Sequence, residues 1–479
     1  MFDFIVSKMK LYGTSKIISK HQELTYRELI SLSLKNGKLL KETIPYKIKC
    51  AILCDDEIYS SIAVLAAWHA GYTVIPMSKN YGKENCISII NTISPDLIIS
   101  DDVLPFDIDI QITAYNIKTC KFDRINESYN IESELYDVPL IMSTSGTTGL
   151  PKGVMLTRNG IISNLLAINK YFGLTSEDRI IISRPLFHCA VMTGEFLISL
   201  YNGTNIFFCS QTYNPQLIIK TASSENVTVA CGTPTMFRHI AILNSRYKLP
   251  LNINKIILSG ECLHNNYAET IKKAFPNAII RNVYGLTEAG PRVSCSAISD
   301  FNMVPESVGT ALDGIEIKII DENFNELPSY QNGLVVIYTP AVMKGYYKSP
   351  QETKQSFIND IWLNTKDIGY KDSKGRLYIT GRMDDLIIKG GMNIYPREIE
   401  IPILTLKEIK ECIAYGIKSD GTSIGVDIVL NEEFAHLSLK EIQKLFTYVL
   451  PDYKIPNHVN IVTSLPTTAS GKTLKIPYR

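Results

Sequence analysis

Residues 143–153 read Ser-Thr-Ser-Gly-Thr-Thr-Gly-Leu-Pro-Lys-Gly, and this stretch is the strongest guide to the fold. Gly146, Gly149 and Gly153 allow the backbone to turn its N–H groups inward, because glycine has no Cβ to obstruct the turn. Successive inward N–H groups form a concavity that holds an anion, and Lys152 adds a point charge suited to phosphate. The stretch therefore predicts a phosphate-binding loop formed by Thr144, Ser145, Gly146, Thr147, Thr148, Gly149 and Lys152.

The segments on either side of this loop support the same interpretation. Residues 137–142 are typical of a buried strand, and residues 159–171 are typical of a helix. A strand, a glycine-rich loop and a helix in that order form a phosphate-binding layout. The loop lacks the Gly-x-x-x-x-Gly-Lys-Ser/Thr pattern of a P-loop. The alternative is a flexible surface turn, which would not require Pro151 and Lys152 after the glycines.

Length and composition limit the class of protein. A chain of 479 residues exceeds the roughly 250–300 residues of a single core, so at least two domains are expected. The net charge of +1 provides no basic field for nucleic acid, and the absence of a long apolar run predicts no membrane span. The ten scattered cysteines and the lack of a secretory-type N-terminus predict a cytoplasmic protein with reduced thiols and no structural metal.

The order of apolar segments predicts the architecture. Short apolar strands alternate with helices up to about residue 282, which indicates an α/β domain of parallel sheets covered by helices. The first long helix begins with Thr25 and Glu28 at capping-box spacing. Residues 305–380 change to short β segments with Gly and Asp turns. We expect a large domain at 1–383 that contains this β-rich subdomain, and a small α+β domain at 384–479.

A second polar cluster lies at the end of a predicted strand, in residues 282–288. Asn282 and Tyr284 share one face of a strand, and an amide beside an aromatic ring suits a purine. Thr287 could donate to a phosphate, and Glu288 could hold a hard divalent cation through oxygen. The alternative is a solvated strand end whose tyrosine belongs to the core.

Two further polar sites lie nearer the C-terminus. Asp367, which precedes a hairpin, could accept both hydroxyls of a ribose, and Arg382 could donate to the same sugar. The alternatives are a turn-capping aspartate and a solvated arginine. Lys472 follows a glycine in a loop of small residues, where the alternative is a solvated lysine in a frayed tail.

These motifs together resemble the adenylate-forming superfamily, which comprises acyl-CoA synthetases, peptide-synthetase adenylation domains and luciferases. The resemblance runs from Leu24 to Lys472. It rests on the order and rough spacing of residues 143–153, 284–288, Asp367, 381–385, 390–400 and 470–472. Each motif alone is only a hypothesis, but six matches in order are difficult to obtain by coincidence.

The resemblance implies a role for each matching residue. The loop at 143–153 would hold the β- and γ-phosphates of ATP, Thr287 would contact the α-phosphate, and Glu288 would bind Mg²⁺. The nucleoside would be held by Tyr284 stacked on adenine, with Asn282 and Gly285 beside it, and by Asp367 and Arg382 at the ribose. Asp384 would be the hinge of a mobile C-terminal lid whose Lys472 bridges the carboxylate and α-phosphate oxygens.

The acid-side segment begins at Phe187 and His188. Amino-acid-activating members carry an aspartate where this chain has His188, so an α-amino acid is disfavoured. His188 resembles the aromatic histidine that separates the thiol tunnel from the acid pocket in aryl and aliphatic acid ligases, and the alternative is a packed core imidazole. The implied pocket contains little charge and fits an aryl or short- to medium-chain aliphatic acid: His188, Val191, Met192, Cys231, Gly232, Thr233, Pro234, Gly260 and Gly285.

The thiol acceptor is indicated by the segment that begins at Gly390 and Gly391. It resembles the Gly-Gly-x-Asn-Ile-Tyr-Pro form of CoA ligases, so coenzyme A is the first expectation. The phosphopantetheine of a carrier protein, with an acyl carrier protein as partner, is the alternative. Gly333-Leu334 stands where relatives usually have Gly-Glu, which weakens the prediction of the CoA contacts. An inactive nucleotide-binding scaffold is the remote alternative.

Overall fold

The computed structural model describes residues 1–79, 82–103, 112–125, 129, 132–145, 151–209, 213–389, 392–417 and 423–466. Within them the α-helices are α1 Phe2–Met9, α2 Tyr26–Thr43, α3 Glu57–Ala70, α4 Lys83–Ile93, α5 Arg158–Phe172, α6 Cys189–Val191, α7 Ile198–Asn202, α8 Pro215–Ser224, α9 Pro234–Tyr247, α10 Asn265–Ala274, α11 Asp300–Met303, α12 Pro350–Gln355, α13 Arg397–Ile403 and α14 Leu439–Val449. A π-helical turn, Met192–Leu197, joins α6 to α7.

The strands alternate with these helices in the first part of the chain and dominate the later part. Up to residue 284 they are β1 Lys16–Ile18, β2 Glu23–Thr25, β3 Lys49–Leu53, β4 Thr73–Pro76, β5 Leu97–Ser100, β6 Thr113–Asn116, β7 Lys121–Arg124, β8 Leu140–Ser145, β9 Pro151–Leu156, β10 Arg179–Ile182, β11 Asn205–Phe208, β12 Val229–Gly232, β13 Lys255–Leu258 and β14 Ile279–Tyr284. After it they are β15 Ser294–Cys295, β16 Thr310–Ala311, β17 Glu316–Ile320, β18 Gly333–Tyr338, β19 Gly345–Tyr346, β20 Phe357–Ile358, β21 Trp362–Lys371, β22 Leu377–Arg382, β23 Ile387–Lys389, β24 Met392–Ile394, β25 Ile409–Ile417, β26 Ser423–Leu430 and β27 His458–Ile461.

Two large sheets organise the described residues before the β-rich segment. Nine strands form one sheet in the order β16-β15-β14-β13-β12-β10-β11-β1-β2, and eight form the other in the order β19-β9-β8-β4-β3-β5-β6-β7. The central strands of both are parallel, as alternating strands and helices predict. Their edges are antiparallel, so the sheets are mixed and not wholly parallel. The α/β fold class is confirmed.

Capping residues determine where α2 begins and where α3 ends. Thr25 Oγ1 accepts from the Glu28 N–H at 3.2 Å, and Glu28 Oε2 accepts from the Thr25 N–H at 2.8 Å, which completes the predicted capping box. α3 ends at Gly71, whose φ of +89° lies in the left-handed region that favours glycine. α3 buries apolar residues along most of its length between the first helices and the sheet.

The expected strand–loop–helix arrangement around residues 143–153 is wrong. β8 and β9 are antiparallel neighbours, with Ser143 opposite Gly153 and Thr144 opposite Lys152. α5 begins only at Arg158, after Thr157 has capped it by accepting from the Gly160 N–H. The loop therefore joins two strands of a hairpin, and the helix N-terminus does not follow it directly.

Gly153 itself lies inside β9 and is not a turn residue. A Cβ on Gly153 would stand 2.9 Å from Ile141 Cγ2, and the Gly153 carbonyl accepts from the Tyr347 N–H at 2.8 Å. The glycine is thus required by strand packing at the base of the loop.

The β-rich segment forms a separate antiparallel sheet of β17, β18, β20, β21 and β22 among the described residues. Not all of residues 305–380 belong to it. β16 extends the nine-stranded sheet and β19 extends the eight-stranded one, so this segment ties the two large sheets together.

The residues after Asp384 have a core of their own. It is formed by residues of β23 to β27, α13 and α14, including Ile399, Ile428 and Phe446. This part contacts the rest of the chain through Arg397, whose guanidinium donates to the carbonyls of Ile379 and Leu263. Further polar contacts are the ion pair of Arg238 with Glu411 and the hydrogen bond that Asn266 Nδ2 donates to the Leu404 carbonyl. A separate core is what a domain able to move requires.

Candidate active site

Asn282 lies near the end of β14, and its side-chain amide already forms hydrogen bonds within the protein. It is 1% exposed, and its Nδ2 donates to the carbonyls of Pro305 and Ser307, both at 3.1 Å. Its Oδ1 makes no hydrogen bond within the described residues. The side chain therefore anchors the segment at 305–307, and only Oδ1 remains to accept from a ligand.

Tyr284, Asp367 and Arg382 are brought together as the sequence predicts. The Tyr284 hydroxyl donates to Asp367 Oδ2 at 2.5 Å, and Arg382 Nη1 lies 3.3 Å from Asp367 Oδ1. Asp367 and Arg382 are directly opposite in the β21–β22 pair. Burial and the adjacent carboxylate raise the pKa of Tyr284 well above its usual value, so the phenol remains neutral and can donate.

Asp367 precedes the β21–β22 hairpin, as the sequence predicts. It lies within the ten-residue strand β21, where the Asp367 N–H donates to Thr365 Oγ1 at 3.1 Å. Lys366 before it has a φ of +59°, and the register of the pair shifts just after it, between Ile368 and Gly369. This irregularity in a long strand positions the carboxylate toward Tyr284.

Thr287 and Glu288 form a 3₁₀ turn directly after Gly285 and Leu286. Glu288 Oε1 accepts from the Tyr346 hydroxyl at 2.9 Å, and the Glu288 carbonyl accepts from the Met343 N–H at 2.8 Å. One carboxylate held in this way suits Mg²⁺, which takes few protein ligands and completes its shell with water and phosphate oxygens. Among the described residues no cluster of three or more His, Cys, Asp or Glu offers a metal cage.

Tyr346 links this turn to the strand that carries Lys152, and no motif in the sequence pointed to it. Lys152 Nζ lies 5.0 Å from the centre of the Tyr346 ring whose hydroxyl contacts Glu288. β19 pairs with β9 and places Tyr346 opposite Val154, two residues beyond Lys152. Burial and the Glu288 carboxylate raise the pKa of Tyr346, so it acts as a neutral donor.

Several predicted residues lie outside the described part of the chain. These are Gly146, Thr147, Thr148 and Gly149 of the phosphate loop, Gly390 and Gly391 of the thiol-side segment, and Lys472. Thr144 and Lys152, at the two strand ends that carry the phosphate loop, face each other across the hairpin. Asp384 lies in a 3₁₀ turn, Met383–Asp385, and Lys366 Nζ is 4.0 Å from its carboxylate.

The predicted acid pocket is assembled from three segments. His188 precedes α6, and the centres of the Phe187 and His188 rings are 4.3 Å apart. Val191 and Met192 are fully buried at the start of the π-helical turn. Thr233 ends the β12 segment by capping α9, accepting from the Met236 N–H at 3.1 Å.

The glycines of that pocket have different surroundings. A Cβ on Gly232 would lie 1.8 Å from Met236 Cε, and one on Gly285 would lie 1.7 Å from the Pro291 carbonyl oxygen. Gly285 is therefore required by the protein's own packing, because its neighbours are backbone atoms, whereas at Gly232 the flexible Met236 side chain could move aside. Gly260, at φ +89°, is exposed, and its Cβ position is 3.8 Å from Thr233 Cγ2.

Buried charged side chains that sequence reasoning missed lie near the predicted acid-pocket residues. Glu195 is completely buried and pairs with the guanidinium of Arg184, which is 6% exposed. Arg292, at 3% exposure, interacts electrostatically with Glu195 and with the thiols of Cys189 and Cys231. Arg184 and Arg292 are separated by more than 100 residues, and only the fold brings them together.

A cavity lies on the other side of Phe187, between the carboxyl ends of β3 and β4 and the segment after β10. Its lining is mainly apolar and includes one carboxyl group, Glu57: Ile52, Glu57, Ser60, Val64, Pro76, Met77, Ser78, Pro185, Leu186, Phe187 and Met192. Burial and nearby aspartates raise the pKa of Glu57 to about 7. Of the predicted acid-pocket residues, Met192 lines this cavity.

Comparison with known proteins agrees with this geometry. Residues 9–347 match the family model described as AMP-binding enzyme, and residues 398–472 match the AMP-binding enzyme C-terminal domain. The chain belongs to the AMP-binding enzyme family. Members with curated names include the feruloyl-CoA synthase of Amycolatopsis sp., 30% identical over 352 residues that cover 71% of this chain and 69% of the relative.

Two further members of the AMP-binding enzyme family illustrate the range of similarity. The mitochondrial medium-chain acyl-CoA ligase ACSF2 of Bos taurus is 31% identical over 351 residues, covering 71% of this chain and 56% of that protein. The solved O-succinylbenzoate coenzyme A synthetase of Bacillus subtilis, in complex with ATP and magnesium ion, is 25% identical with a TM-score of 0.84, covering 99% of this chain and 98% of that one.

The predicted enzyme class is confirmed. This member of the AMP-binding enzyme family is an AMP-forming acid–thiol ligase that uses ATP, Mg²⁺ and coenzyme A. Among the described residues, no helix has the length and apolar character needed to cross a bilayer.

Proposed function

We propose that this ligase activates an aryl or a short- to medium-chain aliphatic carboxylic acid and transfers the acyl group to the thiol of coenzyme A. The observation that carries the proposal is the convergence of two groups of side chains. In the first group, the Tyr284 hydroxyl and Arg382 Nη1 both lie within 3.3 Å of the Asp367 carboxylate. In the second group, Glu288 accepts from the Tyr346 hydroxyl, and Lys152 Nζ lies over the Tyr346 ring. The first group suits a nucleoside and the second suits its phosphates.

In the first step an oxygen of the substrate carboxylate attacks the α-phosphorus of ATP, and pyrophosphate leaves. Two anions approach each other, so the charge that develops must be neutralised by fixed donors and cations. Thr287 would donate to the α-phosphate, and Lys152 would hold the departing phosphates. Mg²⁺ held at Glu288 would neutralise charge on the phosphate oxygens.

Lys472 would act as the last cation to arrive, since it lies on the small domain. Closure over bound substrate positions the reacting groups, and effective molarity of this kind can supply up to ~7–11 kcal/mol. We place the hinge at Asp384, in the short turn between β22 and β23. Its 4.0 Å contact with Lys366 is exposed and weak, so it would not prevent rotation.

In the second step the thiol attacks the carbonyl carbon of the acyl-adenylate, the thioester forms and AMP leaves. His188 would separate the path of the thiol from the acid until the small domain moves. Its ring lies against that of Phe187, which lines the cavity beside the predicted acid-pocket residue Met192. Gly390 and Gly391 would then line the thiol side.

The chemistry proposed here suits the cytoplasm. All ten cysteines are free thiols, and burial raises the pKa of several of them, Cys231 and Cys189 included. Thiols kept protonated in this way are unreactive and fit a reducing compartment.

Pyrophosphate exchange across a panel of carboxylic acids tests the first step. We expect pyrophosphate exchange that depends on one class of acid. The absence of exchange with every acid in a broad panel would favour an inactive nucleotide-binding scaffold. Thioester formation with CoA, compared with phosphopantetheinylated carrier proteins, tests the acceptor. Transfer to a carrier protein without transfer to CoA would refute the proposed acceptor while leaving the adenylation step intact.

A further inference from the structure

A buried group of three charged side chains, Arg184, Glu195 and Arg292, lies beside the predicted acid pocket. Arg184 and Glu195 form an ion pair in which Glu195 has no exposure. Arg292 is 3% exposed, and its Nε and Nη2 atoms make no hydrogen bond to any part of the chain that the structure describes. Its interaction partners are the carboxylate of Glu195 and the hydroxyl of Tyr171.

Arg184 pairs with the Glu195 carboxylate, whereas Arg292 forms no salt bridge within the part of the chain that the structure describes. The buried charge of Arg292 is therefore an excess charge that no contacting carboxylate offsets. A buried charge without a partner is strongly unfavourable, and arginine does not lose its proton in proteins. A folded enzyme that keeps such a charge gains from an anion that enters the site.

Arg292 lies beside segments that contribute residues to the predicted acid pocket. A Cβ on Gly194 would stand 3.1 Å from Arg292 Nη2, and Gly194 lies two residues after Met192 in the π-helical turn. The guanidinium also interacts with the thiols of Cys189 and Cys231. Its main chain is fixed because the Arg292 N–H donates to Asn164 Oδ1 at 3.1 Å, and Asn164 Nδ2 donates to the Arg292 carbonyl at 2.7 Å.

The lack of a side chain at Gly194 is what lets the guanidinium lie against the helical turn. Alanine at this position would meet Nη2 and also Cζ, at 3.3 Å. The backbone on both sides is thus arranged to keep the guanidinium in place beside buried residues of the predicted pocket, with two N–H-bearing atoms left for a ligand.

We propose that the acid substrate carries a second anionic group, such as a further carboxylate, and that Arg292 binds this group while the first carboxylate is adenylated. The inference rests on the proposed function, because it requires that residues 188–192 and 231–234 surround the acid. A guanidinium can bind a carboxylate through two parallel N–H···O bonds, which supplies orientation as well as affinity. Arg292 is therefore a specificity-determining residue, and the reaction that supplies this substrate must yield a diacid or an equivalent dianion.

Matched pairs of acids provide the test. Pyrophosphate exchange is measured for the purified full chain with butanoate against succinate, hexanoate against adipate, and benzoate against phthalate isomers. We expect at least one diacid to exceed its matched monoacid by about 10²-fold or more in kcat/KM, because a site built for a polar group rejects an analogue that lacks it. A monoacid that matches or exceeds its diacid in every active pair would overturn the inference.

Variants at Arg292 separate specificity from stability. Arg292→Met should lose the diacid preference, with monoacid activity retained or raised, because the excess charge is gone. Arg292→Lys should keep part of the preference, since the charge remains but the two-pronged geometry does not. Arg179→Gln, which removes a half-exposed arginine elsewhere, is the matched control and should leave the ratio unchanged.

Different results would refute the role of Arg292 and the adenylation function. Exchange with monoacids alone, or an acid ratio that Arg292→Met does not alter, would refute the role of Arg292 while the adenylation function stands. Silence with every acid would refute the function itself. If Arg292→Met does not fold, the wild-type ratio and the Arg292→Lys ratio decide the question between them.

Discussion

Replacing Asp367 with asparagine gives the sharpest test of the nucleoside site. Asp367 is buried, accepts from the Tyr284 hydroxyl at 2.5 Å and lies 3.3 Å from Arg382. Asparagine preserves the shape and one acceptor oxygen but removes the charge. If the carboxylate binds the ribose hydroxyls, the substitution weakens ATP binding without disturbing the phosphate side, because Glu288 and Lys152 contact each other through Tyr346.

The expected loss of ATP binding free energy follows from the difference between a hydrogen bond to a charged acceptor and one to a neutral acceptor. A bond to a charged acceptor contributes about 1.5–3 kcal/mol and a neutral one about 0.5–1.5 kcal/mol, so each hydroxyl loses roughly 1–1.5 kcal/mol. Two hydroxyls give about 2–3 kcal/mol, which corresponds to a rise of roughly 30- to 150-fold in the KM for ATP.

The assay compares ATP with 2′-deoxy-ATP and 3′-deoxy-ATP in pyrophosphate exchange. Wild type should lose activity with the deoxy analogues, and Asp367→Asn should show a smaller loss, because the interaction has already been weakened. Asp372→Asn is the matched control, since Asp372 is also buried and pairs with Arg376 in the same hairpin. An equal deoxy penalty in wild type and Asp367→Asn would show that the carboxylate does not contact the ribose.

Three further perturbations test other parts of the molecule. Tyr346→Phe should raise the Mg²⁺ concentration for half-maximal activity by roughly 10-fold, because Glu288 loses the hydroxyl that orients it; an unchanged Mg²⁺ titration would remove Tyr346 from the site. Lys472→Ala should slow adenylate formation at least ~10²-fold while ATP binding measured by calorimetry changes little; normal single-turnover adenylation would exclude the lysine. Burial raises the pKa of Glu57 to about 7, so the folded protein becomes less stable relative to the unfolded chain as pH rises from about 4.5 through 7. Glu57→Gln should therefore become more stable relative to wild type by up to about 3 kcal/mol between pH 4.5 and pH 8 in urea unfolding, and parallel pH profiles would contradict the buried-carboxyl assignment.

Strands with continuous apolar runs were predicted closely. β4, β5 and β13 are examples of the short apolar strands expected before residue 282, because a buried parallel strand is a short run of apolar residues between turn signals. β9 was missed for the opposite reason. Pro151, Lys152 and Gly153 have the composition of a loop, and only pairing with β8 makes them a strand.

The residues of the candidate site that lie in sequence motifs were predicted, and those outside motifs were not. Tyr284, Asp367 and Arg382 carry recognisable motifs, so they could be named before their contacts were known. Tyr346 and Arg292 carry none, because their importance comes from neighbours far away in the chain. A tyrosine or an arginine becomes part of a site through what it faces, which sequence pattern does not record.

The sequence by itself predicted an α/β fold and a phosphate-binding loop, since apolar periodicity and glycine spacing are properties of local stretches. The resemblance of its ordered motifs to the adenylate-forming superfamily implied nucleotide binding and activation of an acid. Only the tertiary structure decided that the phosphate loop joins two strands, and that the buried Arg292 lies near the Arg184–Glu195 ion pair. The physical reason is that strand pairing and charge balance are set between residues far apart in the chain, such as Arg184 and Arg292, and burial fixes the energy of both.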